Sequence, residues 1–230
     1  MNEDTMKIIR NIVSYSSINS VLELGPGNST GIIRSCLENK NRGFCLSLEN
    51  DPFYYNKLIN EMPDSKFGSV NLSEISWDMG LNYNKKLDGT FDMVFIDGPG
   101  MIKGKIAKKF ISFIKKQLKV MRPDMRRGTQ SLFILDWLVR QDVLHKDTII
   151  CVDSRTAAVY HYMITQSAAF NFFGYGSPIS PRRSLSSSLS HDELSKYPNV
   201  KSVTLISSKQ SNIVTEILGE CEQYDTRIFE

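Results

Sequence analysis

The chain has 230 residues, 41% of them hydrophobic and 23% charged, a globular composition long enough for one sizeable core and short for two. A formal charge of +3 suits an anionic substrate and falls far short of compelling a nucleic-acid-binding reading. Cys36, Cys45, Cys151 and Cys221 stand far apart with no C-x-x-C pair, which points to free, mostly buried thiols. No charged-then-apolar leader precedes the first strand, and no apolar stretch approaches the length of a membrane span. A cytoplasmic protein is the expectation.

In chain order, Met6, Ile8, Ile9 and Val13 predict a short amphipathic helix over Asp4 to Ser14. Val21-Leu22-Glu23-Leu24 reads as a strand stopped by Gly25-Pro26-Gly27, after which Asn28 or Ser29 caps a helix through Ile32, Ile33 and Cys36. Phe44 to Glu49 is a second strand ending in an acid, and Asp51-Pro52 opens the next helix. A weaker third strand is expected near Ser69 to Leu72, and a strong fourth over Phe91 to Asp97, closed by Gly98-Pro99-Gly100. Helices are predicted over Lys105 to Val120 and Ser131 to Leu144. A buried strand, Thr148 to Asp153, leads into a helix around Ala157 to Met163. Gly174 to His191 reads as an exposed loop, within a flexible insertion at about 174–198 of an otherwise single domain, 1–230. Val203 to Ile206 is a late strand, and Ile213 to Leu218 suits strand or helix equally.

Alternation of strands with helices, and continuously apolar central strands, predict an α/β fold: a mostly parallel sheet with helices on both faces. Ligands of such sheets gather at the carboxyl ends of the strands, where the acids and glycines fall. The turn after Leu24 does not make a triphosphate loop, because Thr30-Gly31-Ile32 stand where G-K-S or G-K-T is required. Nor does it complete G-x-G-x-x-G, since Thr30 takes the third glycine's place and Glu23 suits a pyrophosphate badly. A nucleoside carrying an amino acid fits better. Gly25 and Gly27 admit it to the backbone, and the amides near Ser29 receive a carboxylate. Glu23 attracts a positive charge, and Glu49 accepts the ribose hydroxyls.

With Glu23-Leu24-Gly25-Pro26-Gly27-Asn28-Ser29, the acid Glu49, the strand Asp92 to Asp97 and Val152-Asp153-Ser154-Arg155, the chain resembles the class I S-adenosylmethionine-dependent methyltransferases over residues 15 to 165. Asn28-Ser29-Thr30, Ile96-Asp97-Gly98-Pro99 and Val152 to Arg155 look similar to a small-molecule or glycan O-methyltransferase branch. The resemblance implies a Rossmann-like, seven-stranded, mostly parallel sheet with a final antiparallel hairpin. It also implies S-adenosylmethionine as cofactor, held by Glu23, Gly25, Gly27, Asn28, Ser29, Glu49, Asn50, Trp77, Asp78 and Asp97. Methyl transfer to a hydroxyl of a small metabolite or sugar is the expected activity. RNA or nitrogen methylation is the first alternative, although Ile96-Asp97-Gly98-Pro99 lacks the aromatic turn of nucleic-acid amino-methylating enzymes. A cofactor-binding partner without turnover is the second.

For the chemistry, Asp97 and Asp153 are the leading acids, expected side by side at one sheet edge, with His161 and Lys103 as further candidate catalytic groups. Asp97, Asp153 and Ser154 also make a candidate site for Mg²⁺ or Mn²⁺, although Ser154 replaces the amide that metal-dependent relatives carry. Arg155, Arg182 and Arg183 are candidate clamps for an anionic acceptor. Plainer roles compete: an Asx turn for Asp97, a helix cap for Asp153, a salt bridge for Arg155, a satisfied helix position for His161, and solvated loops for Lys103, Arg182 and Arg183.

Overall fold

The computed structural model describes residues 3–49, 52–62, 73–74, 77–78, 82–83, 86–98, 131, 134–179, 190–219 and 221–227. The predictions for 69–72 and for 105–120 lie outside them, as do Asn50, Lys103, Arg182 and Arg183.

Helix α1 (Glu3–Ser14) buries Ile8, Ile9, Ile12 and Val13, a stripe of the kind that docks a helix on a sheet. It leads to β1 (Ser20–Leu24), α2 (Asn28–Asn39), β2 (Phe44–Glu49) and α3 (Pro52–Glu61). Short strands follow: β3 (Ser73–Glu74), β4 (Trp77–Asp78) and β5 (Asn82–Tyr83). Then come β6 (Phe91–Ile96), α4 (Ile134–Arg140), β7 (Leu144–Asp153) and α5 (Thr156–Gln166). The chain ends with β8 (Phe170–Ile179), α6 (His191–Ser195), β9 (Val200–Ser208), α7 (Ile213–Leu218) and β10 (Glu222–Gln223).

The main sheet runs in the order β10-β8-β9-β7-β6-β1-β2-β3. It corrects the expected mostly parallel, seven-stranded sheet: among the described residues eight strands pair, and the sheet is mixed. Four pairs are parallel, covering β3-β2-β1-β6-β7, and three are antiparallel, joining β9 to β7, β8 to β9 and β10 to β8. The source of the misreading is Gly174 to Ile179, which reads as loop in sequence and is the second half of β8. Its register shifts between Tyr175 and Pro178, around Gly176 at φ +84°, so the glycine and proline sit at a bulge, where a strand tolerates them. At Gly174 a side chain would collide with the Tyr224 ring.

Alternate residues of the central strands feed two cores. Leu22, Leu24, Val94, Ile96, Ile150 and Val152 pack under α4 and α5. Val21, Met93, Phe95, Ile149 and Cys151 pack under α1, α2 and α7. The sheet therefore carries helices on both faces, as continuous apolar strands require. Among the described residues no helix is long and apolar enough to cross a membrane.

Candidate cofactor cleft at the carboxyl edge

Glu23 is the third residue after Ser20 on β1, and alternation sends its side chain to the α2 side of the sheet. It is fully buried. The Ser29 hydroxyl donates to its Oε1 at 2.5 Å, and the hydroxyls of Thr30 and Ser47 donate to Oε2 at 2.8 and 2.6 Å. Burial raises its pKa to about 7; the three hydroxyls oppose the shift and the nearby Asp97 charge adds to it. Thus the acid expected to meet a ligand's positive charge is, in this arrangement, occupied by the first turn of α2 and by β2.

The turn itself is shaped by backbone contact. Gly25 has φ +87°, and a Cβ there would lie 2.5 Å from the Cα of Gly98; a Cβ on Gly98 would lie 2.6 Å from the Cα of Gly25. Two glycines are needed because the turns leaving β1 and β6 cross at contact distance. The crossing is pinned by Gly25 N–H donating to the Leu48 carbonyl at 3.0 Å and Asp97 N–H donating to the Leu24 carbonyl at 2.9 Å. Gly27 differs. A Cβ there would meet nothing within 4 Å, so the backbone at this point faces open space. Neither Asn28 nor Ser29 is the cap: both lie inside α2, and Gly27, with extended φ, precedes it. Its N–H donates to Thr30 Oγ1 at 2.9 Å.

Glu49 closes β2 one step beyond Leu48, which pairs with Leu24, so it stands level with the glycine turn; it is 7% exposed. Trp77 and Asp78 form β4, whose partners Tyr83 and Asn82 make a separate two-stranded ribbon.

On the other side of the turn, Ile96 pairs with Val152, bringing Asp97 and Asp153 to the same level of adjacent strands, as expected. Their surroundings differ. Arg155, itself buried, donates to the Asp97 carbonyl and approaches Asp97 Oδ1 at 3.2 Å. Burial raises the Asp97 pKa, Arg155 opposes the shift, and Asp153 adds to it. Asp153 is 4% exposed; its Oδ1 accepts the Thr5 hydroxyl of α1 at 2.6 Å and the Ser154 hydroxyl at 3.2 Å. Asp153 does not cap α5, whose preceding residue is Arg155. His161 is buried inside α5, and burial lowers its pKa against the pull of Asp136.

Among the described residues no three His, Cys, Asp or Glu side chains converge on one point. A guanidinium already lies against Asp97, and hydroxyls are bonded to Asp153. These side chains as arranged do not fit a divalent ion.

Three contributors escaped the sequence reading, Ser47, Thr5 and Ser131, whose hydroxyl donates to the Gly98 carbonyl at 3.2 Å, while Thr30 figured there only as a motif position, in the third glycine's place. A lone serine at an inward position of the apolar strand Phe44 to Glu49 is the signal that marks Ser47 as a partner for Glu23. A cavity of 430 Å³ lies at the opposite edge of the sheet, lined by Tyr15, Asp92, His145, Asp147 and Glu216 among others.

No family model matches the chain, and no curated protein matches it. Solved structures similar to it include the 23S rRNA methyltransferase ErmE (15% identity, 93% of this chain and 70% of that one, TM-score 0.42). Another is the Podospora anserina methyltransferase PaMTH1 bound to S-adenosylhomocysteine (SAH) (14%, 89% and 78%, 0.43). A third is an O-methyltransferase from Bacillus cereus in complex with SAH (11%, 91% and 82%, 0.42).

Proposed function

We propose that the chain binds S-adenosylmethionine across the carboxyl edge of β1, β2 and β6 and transfers its methyl group to an acceptor held beside Asp97. The observation that carries this reading is the placement of two buried acids, Glu23 and Glu49, on either side of a glycine turn whose Gly27 faces open space. Gly27 gives the ligand exposed backbone, and the N-terminus of α2 offers a positive dipole to a carboxylate. Glu49, ending β2 at the same level, places a carboxylate where a ribose would lie. The cofactor, when bound, supplies an electrophilic methyl group, so the protein's tasks are alignment and exclusion of water.

The choice of acceptor turns on proton removal. An alcohol must lose its proton as the methyl arrives, and a positioned base serves it. Among the described residues the candidate bases are engaged or buried: Asp97 faces Arg155, Asp153 accepts two hydroxyls, and His161 is buried in α5. A neutral nitrogen with a basic lone pair can attack the methyl without prior loss of a proton, and releases any N–H proton to water afterwards. This favours a nitrogen acceptor, and the alternative of RNA or nitrogen methylation, over the small-molecule or sugar hydroxyl. A base nitrogen of RNA is the acceptor we favour; the sequence carries basic clusters at Lys103 to Lys109 and Arg122 to Arg127, without interleaved aromatics, and a charge of only +3.

The experiment is transfer from isotopically labelled S-adenosylmethionine to total RNA, to small amines and to small hydroxylated compounds in parallel. Label in a base of RNA, with SAH released, is the expected result. Label on a hydroxyl would restore the O-methyltransferase reading, and SAH binding without transfer to any acceptor would indicate a cofactor-binding partner instead.

A further inference from the structure

Thr30 joins two features that sequence reasoning treats separately, the acid of β1 and the backbone of the glycine turn. A hydroxyl has one hydrogen. Because Thr30 Oγ1 accepts the Gly27 N–H at 2.9 Å, its own hydrogen is left for Glu23 Oε2 at 2.8 Å, and donor and acceptor roles are both fixed. The result is a directed chain, Gly27 N–H to Thr30 hydroxyl to Glu23 carboxylate, in which the negative end polarises the two bonds before it. Ser29 and Ser47 also donate to Glu23, but neither bonds to Gly27 in this way. Thr30 is fully buried, whereas Gly27 is exposed where the turn faces open space.

We propose that Thr30 is a positioning residue for cofactor binding: its hydroxyl couples the Glu23 carboxylate to the Gly27 amide and holds the turn in the shape that receives the methionyl end. This rests on the cofactor reading above and adds what fixes the turn. The three hydroxyls all point hydrogens at Glu23, so the chain is built for the carboxylate form; a proton on Glu23 forces one hydroxyl to turn away. The other groups facing Glu23 are Cys45 on β2, with Arg34 of α2 acting on it, and Asp97 beyond β6. From α1 this face receives Ile8, Ile9, Ile12 and Val13. Burial places the Glu23 pKa at about 7, so the coupling falls in an accessible pH range.

The test is calorimetric titration of SAH into the wild-type chain and the variants Thr30→Ser, Thr30→Val and Ser47→Ala. Thr30→Ser keeps the hydroxyl and should bind like wild type. Thr30→Val keeps the shape without the hydroxyl and should bind about tenfold more weakly or worse. Ser47→Ala removes a Glu23 partner but leaves Gly27 untouched, and should stay within about threefold. Equal affinity for wild type and Thr30→Val, or equal weakening by Thr30→Ser, would overturn the proposal, as would a loss in Ser47→Ala matching that of Thr30→Val. A second measurement needs no substitution, should Thr30→Val fail to fold. In wild type the Gly27 amide resonance and the SAH affinity should follow one titration near pH 7, with binding weakening as pH falls. A Gly27 resonance that ignores this titration would overturn the proposal. Wild type binding no SAH at any pH would remove the cofactor reading and this inference together, whereas a Thr30 result against expectation with wild type binding removes the inference alone.

Discussion

Two acids on neighbouring strands, Glu23 on β1 and Asp92 on β6, meet opposite environments at opposite ends of the sheet. Asp92 Oδ2 accepts the N–H groups of Asn19 and Ser20 at 2.7 and 2.8 Å and the Ser20 hydroxyl at 2.9 Å. Its Oδ1 faces His145 Nε2 at 3.1 Å, and because His145 Nδ1 accepts the Asp147 N–H, Nε2 carries the hydrogen. Burial pushes the Asp92 pKa up, but these donors together hold it below the usual carboxylate range. Glu23 is drier and has only hydroxyls, and it moves the other way. The difference lies in what the donors can do. A backbone amide cannot turn its hydrogen aside, so Asp92 is a fixed anion that rivets the amino ends of β1 and β6. A hydroxyl can rotate, so Glu23 can take up a proton without breaking the fold. One carboxylate is suited to structure and the other to a site.

The largest effect is expected where the carboxyl edge is tightest. Gly25→Ala puts a side chain at φ +87° and 2.5 Å from Gly98. It should cost about 4 kcal/mol or prevent folding, read by urea unfolding followed by circular dichroism. Wild-type stability would mean that the two turns do not cross as described.

Next comes the pH dependence of Glu23. Its folded pKa lies above the unfolded value, so the folded chain binds the extra proton between about pH 4.5 and about 7. The stability this confers is present at the acid end of the window and is lost as pH rises through it, by roughly 3 kcal/mol in all. Asp92 gives the opposite sign, since its lowered pKa stabilises the fold above the usual carboxylate range and that contribution is lost on acidification. Denaturant titrations across the window should show a fall in stability with rising pH that is larger in wild type than in Glu23→Gln by this amount, because the shifted Asp97 and His161 contribute equally to both chains. Equal slopes in the two chains would assign the effect elsewhere.

The smallest effect is expected from Asp92→Ala, about 2 kcal/mol. Two backbone amides lose a charged acceptor there, yet the site is a quarter exposed and water can enter. SAH binding should be unchanged in this variant, which separates the amino edge from the carboxyl edge.

Much of the central frame was legible because β1, β2, β6 and β7 are buried on both faces and read as unbroken apolar runs. The same logic misled at β8. Gly174, Gly176 and Pro178 are loop residues in isolation, and only the pairing with β9 and the Tyr224 ring makes them strand. In the site, the level placement of Asp97 and Asp153 followed from the fold that the resemblance implies, which sets their strands side by side. Their partners did not: Arg155 follows Asp97 by 58 positions, and Thr5 precedes Asp153 by 148. Thr30 was visible as the residue that spoils a dinucleotide fingerprint, and its bond to Gly27 spans only three positions. The chemistry was near at hand, but its meaning depended on Glu23 being turned inward.

The most direct test is titration of SAH into the wild-type chain and Glu49→Ala, with folding of both checked by thermal unfolding. Saturable binding by wild type and an affinity lower by about tenfold or more in Glu49→Ala is the result predicted, since a charged acceptor for the ribose is lost. Binding of equal strength in both chains, or none in wild type, would contradict a cofactor lying across the carboxyl edge of β1 and β2.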